Sequence, residues 1–134
     1  MKTKLSFLVT LIVLLTLLPT TVLAETDPVS MWVSRVRLAY TGRSSTGTDA
    51  IVGLVHVRDA NKRYVVGATV TASWTLPTGE VVEEKAVTSF QGIAQFSRWD
   101  GRGTYALSVS NVTKDGWIYV PTQNYAVAAS IIAR

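Results

Sequence analysis

His56 is the single histidine of this 134-residue chain, and there is no cysteine. A zinc centre draws its ligands from several His, Cys or carboxylate side chains. A nucleophile needs a base within hydrogen-bond reach. One imidazole without thiols points away from both, and no Gly-x-Ser-x-Gly elbow exists. Glu83 and Glu84 are adjacent. On a strand they face opposite sides, so they cannot serve as the paired carboxylates of glycoside cleavage. Asp49, Asp59, Asp100 and Asp115 fall in turn-like stretches, where aspartate ordinarily shapes the backbone. A calcium site would need two or three of them gathered at one loop end. No metal, cofactor or catalytic set is expected.

The aromatic residues suggest contact chemistry instead. Trp99 stands in a glycine-rich turn beside Arg98 and Arg102. It reads either as a ligand platform or as a lid folded over the end of the domain. Trp117 and Tyr119 alternate on one strand and so share a face, with a half-buried location favoured. Trp99, Arg102, Trp117 and Tyr119 are the candidate ligand contacts. Asn111-Val112-Thr113 has the form of a glycosylation acceptor. It reads better as a strand end where the Asn111 side chain satisfies backbone groups. Asp115-Gly116 then makes a hairpin turn, with Gly116 at positive φ and Trp117 and Tyr119 returning along the sheet.

The first 24 residues have the order of an export signal: Lys2 and Lys4, an apolar run from Leu5 to Leu18, Pro19, then Val22 and Ala24 at the cleavage positions. The run is shorter than the roughly 20 residues that span a bilayer. Cleavage after Ala24 is expected, with residues 25–31 a short lead-in and 32–134 one domain without a membrane segment. Without Lys2 and Lys4, 13 basic residues fall to 11 against 9 acidic ones. The remaining basic residues are scattered along the chain, which argues against nucleic acid as a partner. An exported domain without disulfides must hold together through its core alone, and fits a bacterial or archaeal exterior.

Beyond residue 25 the hydrophobic pattern has period two. In "ATVTASWTL" (68–76), Ala68, Val70, Ala72, Trp74 and Leu76 face one way, and Thr69, Thr71, Ser73 and Thr75 the other. In "WVSRVRLAY" (32–40), Trp32, Val36, Leu38 and Tyr40 oppose Arg35 and Arg37. "EVVEEKAVT" reads as a charged edge strand. Ala94 and Phe96 point inward on the next strand, then Tyr105, Leu107 and Val109, and finally Tyr125, Val127, Ala129 and Ile131. About seven or eight short strands with regular turns predict an all-β, antiparallel β-sandwich. Trp74 would be its anchor, packed on aliphatic residues, with Tyr105, Asn111 and Gly116 as further structural positions.

"VHVRDANKRYVVGATVTASWT", "TSFQGIAQFS" and "GTYALSVSNVTKDGWIYVPTQN" together resemble the immunoglobulin-like modules appended to secreted bacterial subtilisin-like peptidases. The resemblance rests on Asp59, Val66, Gly67, Ala68, Val70 and Trp74, on Gly92 and Ala94, and on a third group. That group is Gly103, Tyr105, Val109, Asn111-Val112-Thr113, Gly116, Tyr119, Pro121 and Asn124. Lys62 stands where a turn glycine is usual, and Phe90 and Val120 also depart from the pattern. The resemblance implies a sandwich of immunoglobulin-like or prealbumin-like type that serves as a non-catalytic accessory module. Taken together, the expectation is a secreted structural or adhesive module, a monomer or part of an assembly, making protein or glycan contacts. The alternative is a small carbohydrate-binding module with coplanar exposed aromatics among Trp32, Trp99, Trp117 and Tyr119.

Overall fold

The alternation in "ATVTASWTL" produces the strand it implies. A computed structural model describes residues 27–42 and 49–134, so the leader, its cleavage site and most of the 41–49 loop lie outside the described residues. Ala68, Val70, Ala72, Trp74 and Leu76 are all buried. In chain order the strands are β1 (Val29–Thr41), β2 (Ala50–Asp59), β3 (Thr69–Thr75), β4 (Val81–Val87), β5 (Ile93–Arg98), β6 (Gly103–Thr113), β7 (Trp117–Tyr119) and β8 (Ala128–Ala133). They form two four-stranded sheets, ordered β5-β2-β1-β7 and β4-β3-β6-β8. Their apolar faces pack into one core, giving the β-sandwich. β1 begins at Val29, so the last three residues of the expected lead-in belong to the sheet, and Met31 is wholly buried.

Lettered A to G with the short β7 set aside, β1, β2 and β5 make an A-B-E sheet, and β4, β3, β6 and β8 a C′-C-F-G sheet. That order is of immunoglobulin type, with the fourth strand joined to the C-F-G side. Two local features fit it. Trp74 lies on the third strand and meets Tyr105 edge to face, at 6.4 Å between ring centroids and 86° between planes. The Tyr105 hydroxyl donates to the Gly101 carbonyl at 2.6 Å and accepts the Asp100 N–H at 2.7 Å. This ties the start of β6 back to the preceding corner, the tyrosine corner of such folds. Trp74 therefore packs on an aromatic ring as well as on the aliphatic residues expected.

One long side of the sandwich is closed by charge. β4 is an edge strand, as its glutamates and lysine imply, but Glu84 turns inward. Its carboxylate accepts from Trp74 Nε1 at 3.2 Å and from Arg98 Nη1 at 2.9 Å, and Arg98 Nε donates to Asp100 at 2.6 Å. Glu84 and Arg98 come from different sheets, so the pair bridges the edges of the two layers. An inward charge at an edge also blocks pairing with a second chain.

Three expectations are corrected. β1 carries a bulge between Val33 and Arg35: Val33 pairs with Val57, and Arg35 with His56. One extra residue reverses the side-chain alternation. Trp32, opposite Arg58, thus faces outward from the sheet, while Val36, opposite Val55, faces the core. Next, β7 does not return along β6. It crosses to the other sheet and pairs in parallel with β1, Trp117 opposite Val29 and Tyr119 opposite Met31. The Lys114–Trp117 turn and Gly116 at φ 75° are as expected, but the turn changes layers instead of closing a hairpin. Finally, Tyr125 and Val127 are exposed, and only from Ala129 onward does β8 face the core. The Tyr125 N–H is taken by the Val33 carbonyl, which holds this stretch beside β1 before the chain reaches its own strand.

Candidate functional site

The candidate contacts from the loop ends do not meet. Trp99 and Arg102 sit at the end of the sandwich where β1 finishes and β6 starts. Trp117 and Tyr119 sit where β1 starts and β6 finishes. The 11 residues of β6 separate them, about 35 Å of extended chain. Trp99 is stacked between Tyr40 and Tyr105, with centroid distances of 5.8 and 6.3 Å. That is the lid arrangement. Trp117 is half-buried against the core, with the Lys114 ammonium 4.7 Å above its ring. Lys114 also donates to the Val66 carbonyl. Trp32 lies at the Trp117 end, next to Met31 that pairs with Tyr119, but it faces outward from the sheet. The four aromatics form no common plane.

The aspartates are likewise divided. Asp49 and Asp100 lie at the Trp99 end, and Asp59 and Asp115 at the other. Among the described residues no cluster of His, Cys, Asp or Glu could hold a metal ion. Asp59 Oδ1 accepts the N–H groups of Asn61 and Arg63, both at 2.9 Å, so its role is to shape the turn. Asn111 is exposed, and its Oδ1 accepts the Val112 N–H at 2.9 Å, next to the β6 bulge.

What the fold does assemble is a trough on the outer face of the β5-β2-β1-β7 sheet, with a volume of about 530 Å³. The β1 bulge makes its floor. By placing Trp32 outward it aligns that ring with Arg58, and Arg35 with His56. Ser34, Gln91 and Ile93 complete the floor, and Lys62, Tyr64 and Tyr125 rise at the rim. Tyr125 is 78 % exposed and Tyr64 54 %. Tyr64 bridges to Arg58 on the β5 side of β2, while Tyr125 bonds to Val33 on the far side of β1. The two tyrosines are therefore three interstrand steps apart, about 14 Å.

The rim is rigidly scaffolded. Lys62 has φ 63°, the one described residue other than glycine in the left-handed region. In that conformation its carbonyl accepts from Arg58 Nη1 at 2.7 Å. The Arg58 guanidinium also lies 4.8 Å from the Tyr64 ring centroid. Across the sheet, Asn124 Oδ1 accepts the Val33 N–H at 2.7 Å and Asn124 Nδ2 donates to Tyr119 at 2.6 Å, fixing the segment that presents Tyr125. Trp32 is only 9 % exposed, and its buried indole N–H has no partner among the described residues.

The trough is cationic. No carboxylate lines it, and the two ion pairs among the described residues both belong to Arg98. Arg35, Arg58 and Lys62 thus have no acidic partner there. His56 is held below the ordinary value of 6.5 by burial first, then by Arg35, Arg58 and Arg37. The Ser34 hydroxyl donates to the His56 carbonyl at 3.2 Å, not to its ring, so these two do not make a nucleophile–base pair.

A pH dependence follows. With the folded value depressed, the unfolded chain binds the His56 proton first as pH falls. Stability should be full above 6.5, drop as pH falls through it, and level off below the folded value. Urea titrations at pH 7.5 and 5.5 should show this drop, and His56→Gln should reduce it. An equal drop in the variant would assign the effect to other groups.

None of this was apparent from motifs. Arg35, His56, Arg58, Tyr64, Gln91 and Tyr125 are dispersed over ninety residues and look like ordinary surface positions. The one usable signal was Lys62 in place of a turn glycine. Comparison with family models, with curated proteins and with solved structures finds no match for this chain. Fold and site together define an immunoglobulin-type β-sandwich bearing a cationic, aromatic-walled trough on one face.

Proposed function

We propose that this chain is a non-catalytic, exported module that makes structural or adhesive contacts with protein or glycan at the cell exterior. The leader-like first 24 residues support export. The observation that carries the contact role is the trough, where unpaired cations and two exposed tyrosines are gathered on a rigid sheet. The loop-end tryptophans are instead engaged in packing. The resemblance to modules beside secreted subtilisin-like peptidases supports an accessory place next to such an enzyme.

Titration with cell-envelope fractions and with a secreted peptidase, followed by tryptophan fluorescence, tests this reading. Binding should be weakened by Arg35→Gln with Arg58→Gln and kept by Trp99→Ala. Binding that survives the arginine changes but is lost with Trp99→Ala and Trp117→Ala would move the functional surface to the loop ends. A turnover abolished by His56→Ala in a folded protein would make the chain an enzyme.

A further inference from the structure

We infer that the trough binds an anionic glycan, a chain of sugar units bearing carboxylate or sulfate groups. This deepens the contact-module reading and rests on it.

The charge selects the ligand's sign. Arg35, Arg58 and Lys62 surround a floor without a single acid. Gathering like charges costs energy in the free protein, and an anion relieves that repulsion while accepting charge-assisted hydrogen bonds. Lys62 adds a second cost. A residue with a side chain resists φ 63°, where glycine would sit freely. Strain of this kind is characteristic of binding sites. Here it aims the Lys62 carbonyl at Arg58 and holds the two cations together in the trough.

The shape selects the ligand's class. The floor is formed mainly by β1 and β2, the interior strands of the sheet, with Ile93 added from its end strand β5. β1 and β2 are paired with each other across that floor, so an extended peptide cannot add as a strand on the floor itself. The trough is half open and its lining is about as polar as it is apolar, which suits a peptide's apolar anchoring side chain poorly. Its two walls are the exposed Tyr64 and Tyr125, whose backbones lie about 14 Å apart. Ser34 and Gln91 line the trough as neutral hydrogen-bonding groups. Flat apolar rings, neutral polar groups and cations together match the apolar faces, hydroxyls and acidic substituents of an anionic glycan.

The test uses the full chain, produced with its leader and purified as the cell leaves it. Four polymers serve as probes: polygalacturonate for carboxylate, dextran sulfate for sulfate, dextran as the neutral control and polyglutamate as the acidic polypeptide. Affinity is read by calorimetry at low and high NaCl. Polygalacturonate, dextran sulfate or both should bind, more weakly at high salt, and dextran should not. Which of the two binds identifies the acidic group. Arg35→Gln with Arg58→Gln should reduce affinity about tenfold or more. Tyr64→Ala with Tyr125→Ala should reduce it severalfold for the glycan while leaving any polyglutamate binding unchanged. Lys62→Gly should raise the melting temperature and yet weaken glycan binding, a pairing that a purely structural role for Lys62 does not produce.

Equal binding of dextran and the charged polymers would overturn the proposal. So would polyglutamate binding as tightly as the glycans with no effect of the tyrosine changes, which would mark an acidic-protein surface. If no polymer binds but envelope or peptidase binding persists, this inference fails and the contact-module reading stands. If that binding is absent too, the reading itself fails.

Discussion

Trp74→Ala should cost about 3–5 kcal/mol of stability, read as a lowered urea midpoint. Trp74 is fully buried, the penultimate residue of β3, which lies between β4 and β6. Its ring meets Tyr105 edge to face, and its Nε1 donates to Glu84. A tryptophan removes roughly 200 Å² from water, worth about 5 kcal/mol at ~25 cal/mol per Å². Truncation also leaves a cavity that stiff neighbouring strands can close only in part. A domain of this size has about 5–15 kcal/mol in all, so the variant should be marginal at physiological temperature. Trp74→Phe keeps much of the burial and should fall in between. A loss below about 1 kcal/mol for the alanine variant would mean that Trp74 does not anchor the core.

Gly92→Val should be among the most damaging glycine replacements, at about 3 kcal/mol or more, because a positive φ coincides with a clash against backbone atoms. Gly92 has φ 68°, and a Cβ there would lie 2.8 Å from the Val57 carbonyl oxygen and 3.1 Å from the Val65 nitrogen. Both neighbours are backbone atoms held in place: Val57 N–H donates to the Gly92 carbonyl at 2.8 Å, and Val65 N–H to the Val57 carbonyl at 3.2 Å. The added side chain can be accommodated only by parting this junction. Gly116 has φ 75° but nothing within 4 Å of its added Cβ. Gly116→Val should therefore cost only the conformational term, about 1–2 kcal/mol. Thr113→Ala, which erases the sequon at an exposed position, should stay within about 0.5 kcal/mol. Urea titration of the three variants gives the order directly. A Gly116 variant weaker than the Gly92 variant, or a sensitive Thr113, would contradict this account.

The sequence by itself determined the layers of this protein. A period of two identifies which side chains of a strand share a face, because successive residues on a pleated strand point to opposite sides. Hence β3, β4, β5 and β6, and the buried Trp74 and Tyr105, were legible from alternation alone. Alternation carries no information across a bulge, and the extra residue at Ser34 has no signature of its own. Trp32 was therefore placed on the wrong face, and with it the floor of the trough was hidden. Pairing partners were equally invisible wherever they are remote. The Asn124 contact to Val33 spans 91 residues, and β7 joins a strand that begins nearly ninety residues earlier. Local residue types decide whether a segment is extended, but which edge it meets depends on the whole core being packed. The trough belongs to that second category. Its cations and tyrosines come from separate strands and loops, and only the folded sheet, bulged at Ser34, brings them onto one face.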